Sequence, residues 1–107
     1  MFKTNDSGER VDFESGMRRD VQTGKPRFDL IPLFMLRRWA ELMTRGAEKY
    51  GVNNWQLANS GEEMDRFKES AFRHFVQWME GDDEEDHAAA TFFNIACAEY
   101  LKKRLDK

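Results

Sequence analysis

Cysteine is nearly absent from this sequence. The single thiol, Cys97, has no partner for an intramolecular disulfide and sits inside an apolar helical run, which points to a packing role in a reducing compartment. Long apolar runs are missing too. No segment approaches the length needed to span a bilayer, and the opening MFKTNDSGERVDFES has no apolar core of signal-peptide length, so a cytoplasmic protein without a membrane partner is expected. There is no surplus of positive charge. Seventeen Lys and Arg against 20 Asp and Glu leave a net charge of −3 and a pI near 5.4, which argues against a phosphate-backbone groove as the main surface and so against a nucleic-acid partner. The chain carries no Gly-rich Walker loop, no CxxC pair and no HExxH motif. Its only histidines are His74 and His87, and the order Asp86-His87 rather than His-Asp supplies too few ligands for a histidine-aspartate phosphohydrolase. Neither internal repeats nor low-complexity segments occur.

What remains is rich in aromatics, 13%, and in charge, 35%, over 107 residues. That composition describes one compact domain with a Phe and Trp rich interior and a highly charged surface. From Pro32, the residues Leu33, Leu36, Trp39, Ala40, Met43, Ala47 and Tyr50 recur at intervals of three and four and predict one helical face ending at Gly51. A second helix opens at Ser60, with Glu63 three residues on as a capping box, and runs through Met64, Phe67, Ala71, Phe75 and Trp78 to Gly81. Phe72, Val76 and Met79 widen its apolar surface beyond one stripe. The third is expected to begin near Asp83 and to end among Lys102, Lys103 and Arg104, whose charges suit a helix C-terminus. It is apolar on nearly every side from Ala88 to Leu101 and should be central.

Residues 1–28 show neither a period of two nor one of 3.6 and read as an irregular arm, with residues 29–107 forming the domain. The expected fold is all-α: three main helices in a bundle completed by oligomerisation, most simply as an isologous dimer.

Several polar groups need partners that such a core does not supply. In GDDEEDHAAATFFN, residues Gly81 to Asn94, five acids precede the apolar run, and carboxylates in a first helical turn are ordinary caps. Glu84, His87, Thr91 and Asn94 would draw a polar line along the third helix, each member needing a hydrogen-bond partner or a ligand. Glu41 and Glu48 border the buried stripe of the first helix, with Arg45 between them as the rung of an exposed ion-pair ladder. Glu69 sits at the edge of the second helix with Arg73 four residues on, and His74 at the opposite edge is readable as a satisfied core histidine. Each helix thus offers carboxylates at the margin of its buried face. Facing carboxylates repel unless a cation joins them, and hard oxygen ligands suit Mg²⁺ or Mn²⁺.

The segments SGMRRDVQTGKPRFDLIP, RGAEKYGVNNW, Arg73-His74 and EDHAAATFFN, in that order, resemble the phage-type dATP/dGTP diphosphohydrolase N-terminal domain family, a relative of the all-α MazG-like nucleotide pyrophosphohydrolases. The resemblance covers roughly residues 7–104. It implies an Mg²⁺-dependent homo-oligomer, in the host cytoplasm if phage-encoded, that cuts a (deoxy)nucleoside triphosphate between the α and β phosphates. The family pattern also covers Lys25, Arg27, Asp29, Glu41, Lys49, Tyr50, Asn54, Trp55, Arg73, His74, Glu85, Asp86, His87 and Asn94. One departure is visible. The Glu-x-x-Glu pair usual on one helix of MazG-like enzymes is missing here, and Glu80-x-x-Asp83, which matches the second usual pair by letter, spans Gly81.

On this basis Glu41, Glu48, Glu69, Glu85 and Asp86 are the expected metal ligands. Glu41, Glu69 and Asp86 are the expected catalytic carboxylates, one of them taking the proton of an attacking water. Lys25, Arg27, Lys49 and Arg73 are expected at the phosphates, and Asn54 and Trp55 at the base, with Trp55 alternatively anchoring its loop to the core. His74, His87 and Asn94 complete the expected substrate-binding set. The competing class is a non-enzymatic helical module, which senses nucleotides or binds a partner protein.

Overall fold

A computed structural model describes residues 2–106. Its contacts fall into two units, one ending at Leu30 and the other beginning at Ile31. The larger unit holds three helices, α1 (Leu33–Tyr50), α2 (Gly61–Met79) and α3 (His87–Leu105), with a 3-10 turn at Asn54–Leu57 between the first two. The helical class and the number of main helices are as read from the sequence. The smaller unit carries a short hairpin where the sequence predicts an irregular arm. Its strands β1 (Arg10–Asp12) and β2 (Arg18–Asp20) pair antiparallel, Val11 opposite Arg19.

The hairpin is held by charge rather than by an apolar face. Arg10 donates through both terminal nitrogens to Asp6 at 2.8 Å, and Arg18 Nε donates to Asp12 at 2.7 Å. The Ser7 N–H donates to Asp20 at 3.2 Å. Three-residue strands of RVD and RRD carry no period-two apolar signal, which is why no strand was expected here.

In the helical unit, α3 packs against α1, against α2 and against the 3-10 turn, so it is the central helix its all-round apolar character called for. Its buried residues are His87, Ala89, Ala90, Cys97 and Leu101. Burial pushes the Cys97 thiol up to about 12, so it stays a neutral packing group. Around this axis the contacts are aromatic edges. Trp39 of α1 meets Phe92 at 4.7 Å between ring centroids and 88° between planes, and Trp55 meets Tyr100 at 5.0 Å and Phe93 at 6.1 Å. Arg104 near the end of α3 donates to the Gln56 carbonyl and ties the 3-10 turn down.

The start of α2 follows its sequence. The Glu63 N–H donates to Ser60 Oγ at 3.2 Å, and the Glu63 carboxylate reaches back to the Asn59 N–H at 2.9 Å, one residue before the position expected for a capping box. The start of α3 does not follow: it opens at His87, three to four residues later than expected, with Asp86 as N-cap. Glu84 therefore lies in the loop and drops out of the proposed polar line.

Helix orientation differs from the simple periodic reading. On α1 the partly buried side is Met35, Arg38, Trp39, Leu42, Met43 and Ala47. Leu33, Leu36, Ala40 and Tyr50, expected on the buried stripe, are exposed, Leu33 to 78%. On α2 Met64, Phe67, Ala71 and His74 turn inward, while Phe75 and Trp78 are exposed along with Phe72 (70%) and Met79 (66%). Both helices carry more apolar surface than α3 covers.

Two glycines test the backbone argument. Gly81 sits at φ +80° and Gly46 in mid-helix, and an added Cβ would meet nothing within 4 Å at either. Gly81→Ala should cost about 1–2 kcal/mol in urea unfolding, through left-handed strain alone. Gly46→Ala should stabilise by roughly 0.5–1 kcal/mol, because the same added methyl favours helical backbone.

Candidate functional site

Residues 80–86 connect α2 to α3, and each is fixed by a local rule. Gly81 ends α2 in a Schellman arrangement: its N–H donates to the Trp78 carbonyl at 3.1 Å, and the Asp82 N–H donates to the Gln77 carbonyl at 3.1 Å. Asp82 then accepts from the Glu84 N–H at 2.9 Å, an Asx turn that competes with helix and delays its start. Asp86 accepts from the Ala89 N–H at 3.1 Å and opens α3.

Asp86 does more than cap. Arg38, on the inward side of α1, donates from Nε at 2.8 Å and from Nη2 at 2.7 Å to its two carboxylate oxygens. This fork-to-fork pair joins positions 48 residues apart and is half-buried. The Arg38 guanidinium, then the Ala89 N–H, hold the Asp86 carboxyl below the usual carboxylate range against its desolvation, with Arg45 adding to the effect.

Beside the pair opens a cleft of about 510 Å³. Arg38, Leu42 and Arg45 of α1 form one wall, Asp83 to Asp86 the other, and Ala90 the floor. Of the expected metal ligands, Glu85 and Asp86 line it. Glu41 is close enough to Arg38 to help raise its pKa, behind the larger effect of Asp86. Lys49 is raised chiefly by the Tyr50 phenol beside it and in smaller part by Glu85. The α1 residues Arg38, Glu41, Arg45 and Lys49, spaced by three and four, thus form a charged side toward the acidic loop.

The two histidines also come together. His87 is 2% exposed, and its Nδ1 lies 2.9 Å from Nδ1 of His74. One ring must donate and the other accept, so a single proton sits between them. Desolvation first, then the Arg73 charge, lower the His74 pKa and favour the neutral ring. Asp82 Oδ1 lies 3.4 Å from His87 Nε2, a polar contact too poorly aligned to count as a hydrogen bond and one that leaves Nε2 buried without a partner.

Other expected site residues lie elsewhere. Asn94 donates to the Ala90 carbonyl at 2.8 Å and Thr91 to the His87 carbonyl at 2.7 Å, so both satisfy themselves on their own helix. Asn94 lines a separate, mainly apolar groove of about 370 Å³ between α2 and α3. Trp55 is spent on its edge contacts to α3, the anchoring alternative, and Asn54 is exposed beside it at the start of the 3-10 turn. Glu48, Glu69 and Arg73 are exposed and line neither cavity. In the smaller unit Arg27 pairs with Asp29 at 2.6 Å, and Lys25 lies in a turn closed by its N–H on the Gln22 carbonyl at 2.9 Å.

Sequence reasoning missed Arg38 as the Asp86 partner and Arg45 as a cleft residue. Arg45 had been read as the rung of a ladder between Glu41 and Glu48, yet no ion pair joins them among the described residues. Arg38 stands one residue before Trp39, a position inside the partly buried face of α1, and that was the available signal.

As a metal site the cleft offers all-carboxylate oxygen chemistry. No three His, Cys, Asp or Glu side chains converge among the described residues, and Arg38 engages both Asp86 oxygens. Mg²⁺ keeps several waters and is commonly held by one or two carboxylates plus substrate phosphates, a mode this donor set fits.

The fold and the cleft define a mainly helical protein with an acid-lined cleft that two arginines of α1 also line. The chain belongs to the dATP/dGTP diphosphohydrolase N-terminal domain family, whose model matches residues 15–107. No curated protein and no solved structure matches it. Among the described residues no helix is long and apolar enough to cross a membrane.

The Asp86 pair carries a stability prediction. Asp86→Asn should cost about 1–2 kcal/mol at pH 7, through the lost charge on Arg38 and a weaker cap. Because the folded pKa is depressed, the contribution is present above the unfolded value of about 3.9 and lost as pH falls through the lower folded value. Unfolding free energies between pH 6 and 2 should fall more gently for Asp86→Asn than for the native chain.

Proposed function

We propose that this protein is a Mg²⁺- or Mn²⁺-dependent pyrophosphohydrolase that converts purine deoxynucleoside triphosphates, dATP or dGTP, to the monophosphate and pyrophosphate. The observation that carries the reading is the cleft in which arginines of α1 face four consecutive acids, within a chain of this family. A divalent cation bound there would neutralise the phosphate chain and lower the pKa of a water.

The protein's own residues divide the remaining work. Glu41 and Glu85, with Glu48 on the same helix as Glu41, are the proposed carboxylates for the cation, and Asp86 stands beside them held by Arg38. Glu69 is not carried into this assignment, because it lies on α2, which contributes no residue to the cleft, whereas Glu41 and Glu48, though not in its lining, stand on α1 beside the lining residues Leu42 and Arg45. Hydrolysis adds a water oxygen to phosphorus, breaks the α–β bridging P–O bond and releases pyrophosphate. The proton lost by water goes to a carboxylate at the cleft margin, for which Glu41, next to the lining residue Leu42, is our choice. Lys49 supplies further positive charge, and the part-buried His74–His87 pair braces the acidic loop against α2. Lys25, Arg27, Asn54, Trp55, Arg73 and Asn94 are left as substrate contacts of lower rank, Trp55 because α3 already occupies its ring edges, Arg73 because it lines neither cavity and Asn94 because it lines the apolar groove.

The exposed Phe72, Trp78 and Met79 on α2 and Leu33 on α1 support a homo-oligomer that buries them. Sedimentation should give a mass of at least two chains, with Phe72→Glu shifting it toward one.

Purified protein incubated with each dNTP and Mg²⁺ should release pyrophosphate and dNMP. Glu85→Gln should lower turnover by at least about a hundredfold with the helical signal intact. Release of inorganic phosphate and dNDP would place the cut at another bond. Tight nucleotide binding with no turnover would instead make the protein a sensor, a reading that the paired state of Asp86 makes specific.

A further inference from the structure

We infer that Arg45, together with Arg38, is the element of the cleft that receives the phosphate chain, with Asp86 orienting the Arg38 fork. The inference rests on the proposed triphosphate substrate and adds to it residues that no sequence motif marked.

Three observations support it. Arg45 lines the cleft, is exposed, and has no ion-pair partner among the described residues even though Glu41 and Glu48 stand at ladder spacing on its own helix. It shares the lining of the cleft with Asp83 to Asp86, so its charge lies against the same space as theirs. Its planar fork is therefore free to take two oxygens of one phosphate, the geometry for which guanidinium is better suited than ammonium. Arg38, seven residues earlier, stands two turns away on the same side of α1, about 10.5 Å along the axis. Its fork is held by Asp86 at 2.7 and 2.8 Å and its Nη1 donates to Met35 Sδ at 3.3 Å, so it places a fixed positive charge in the cleft lining rather than a mobile one.

The charge balance of the cleft sets the conditions. Four carboxylates against two guanidinium groups leave the wall net negative, so a bare phosphate chain is repelled and binds only when accompanied by a divalent cation. The acids give the site its metal dependence. The arginines give it a polyphosphate ligand rather than a metal alone.

The test is calorimetric titration of the full chain with inorganic pyrophosphate and with the α,β-methylene analogue of dATP, each with and without Mg²⁺. Wild type should bind both only with Mg²⁺. Arg45→Gln should weaken both by about tenfold or more, Arg45→Lys by less, and Arg66→Gln, exposed on α2 outside the cleft, by less than twofold. Thermal unfolding of Arg45→Gln should lie closer to wild type than that of Arg38→Gln, which breaks the pair with Asp86 and should also bind weakly. Binding by Arg45→Gln within twofold of wild type overturns the inference and leaves the proposed activity standing. Binding that depends on Arg45 without any turnover of dNTPs sustains the inference and overturns the activity. Failure of wild type to bind either probe with Mg²⁺ overturns both.

Discussion

The ion pair between Arg38 and Asp86 is the contact on which the functional half of the molecule depends. It joins the second turn of α1 to the first residue of the α3 cap, and one carboxylate answers two demands at once. If Asp86 served only the helix end, α1 would be free of the acidic loop; if it served only Arg38, the α3 amides would lack a partner. Meeting both demands sets the distance between α1 and the loop, and that distance is the width of the cleft.

Around this contact the loop is over-determined. A Schellman stop at Gly81, an Asx turn at Asp82 and the Asp86 cap leave little freedom in residues 81–86, and the histidine pair holds the same region from the α2 side. Four consecutive acids repel one another, so holding them close costs electrostatic energy that local hydrogen bonds and two arginines offset. A cation would lower that cost further. The arrangement is more constrained than helix initiation requires, because a single cap would have sufficed for that.

The rest of the helical unit is thinly cored for its apolar content. Leu101 and Cys97 are the largest fully buried side chains, while Phe72, Trp78 and Met79 face outward. Small residues on α3 explain this: Ala89 and Ala90 let neighbours approach closely but fill little volume. The outward aromatics leave α2 with apolar surface that α3, central and apolar all round, does not cover.

The sequence by itself determined the helices and their local punctuation, the start of α3 excepted. Ser60 with Glu63, Gly51, Gly81 and the cations at 102–104 act through groups within a few residues, and short-range hydrogen bonding does not need the fold in order to be read. It also determined that α3 is central and Cys97 inert. Only the tertiary structure decided which side of α1 faces inward. The side that faces inward carries Arg38 and Trp39, whose partners Asp86 and Phe92 lie far along the chain and leave no periodic trace. The same long-range choice placed Arg45 in the cleft, kept Asn94 and Glu69 out of it, and brought His74 against His87. Residue type and spacing specify what a side chain is able to do; which of its possible partners it meets is set by the packing of helices against one another.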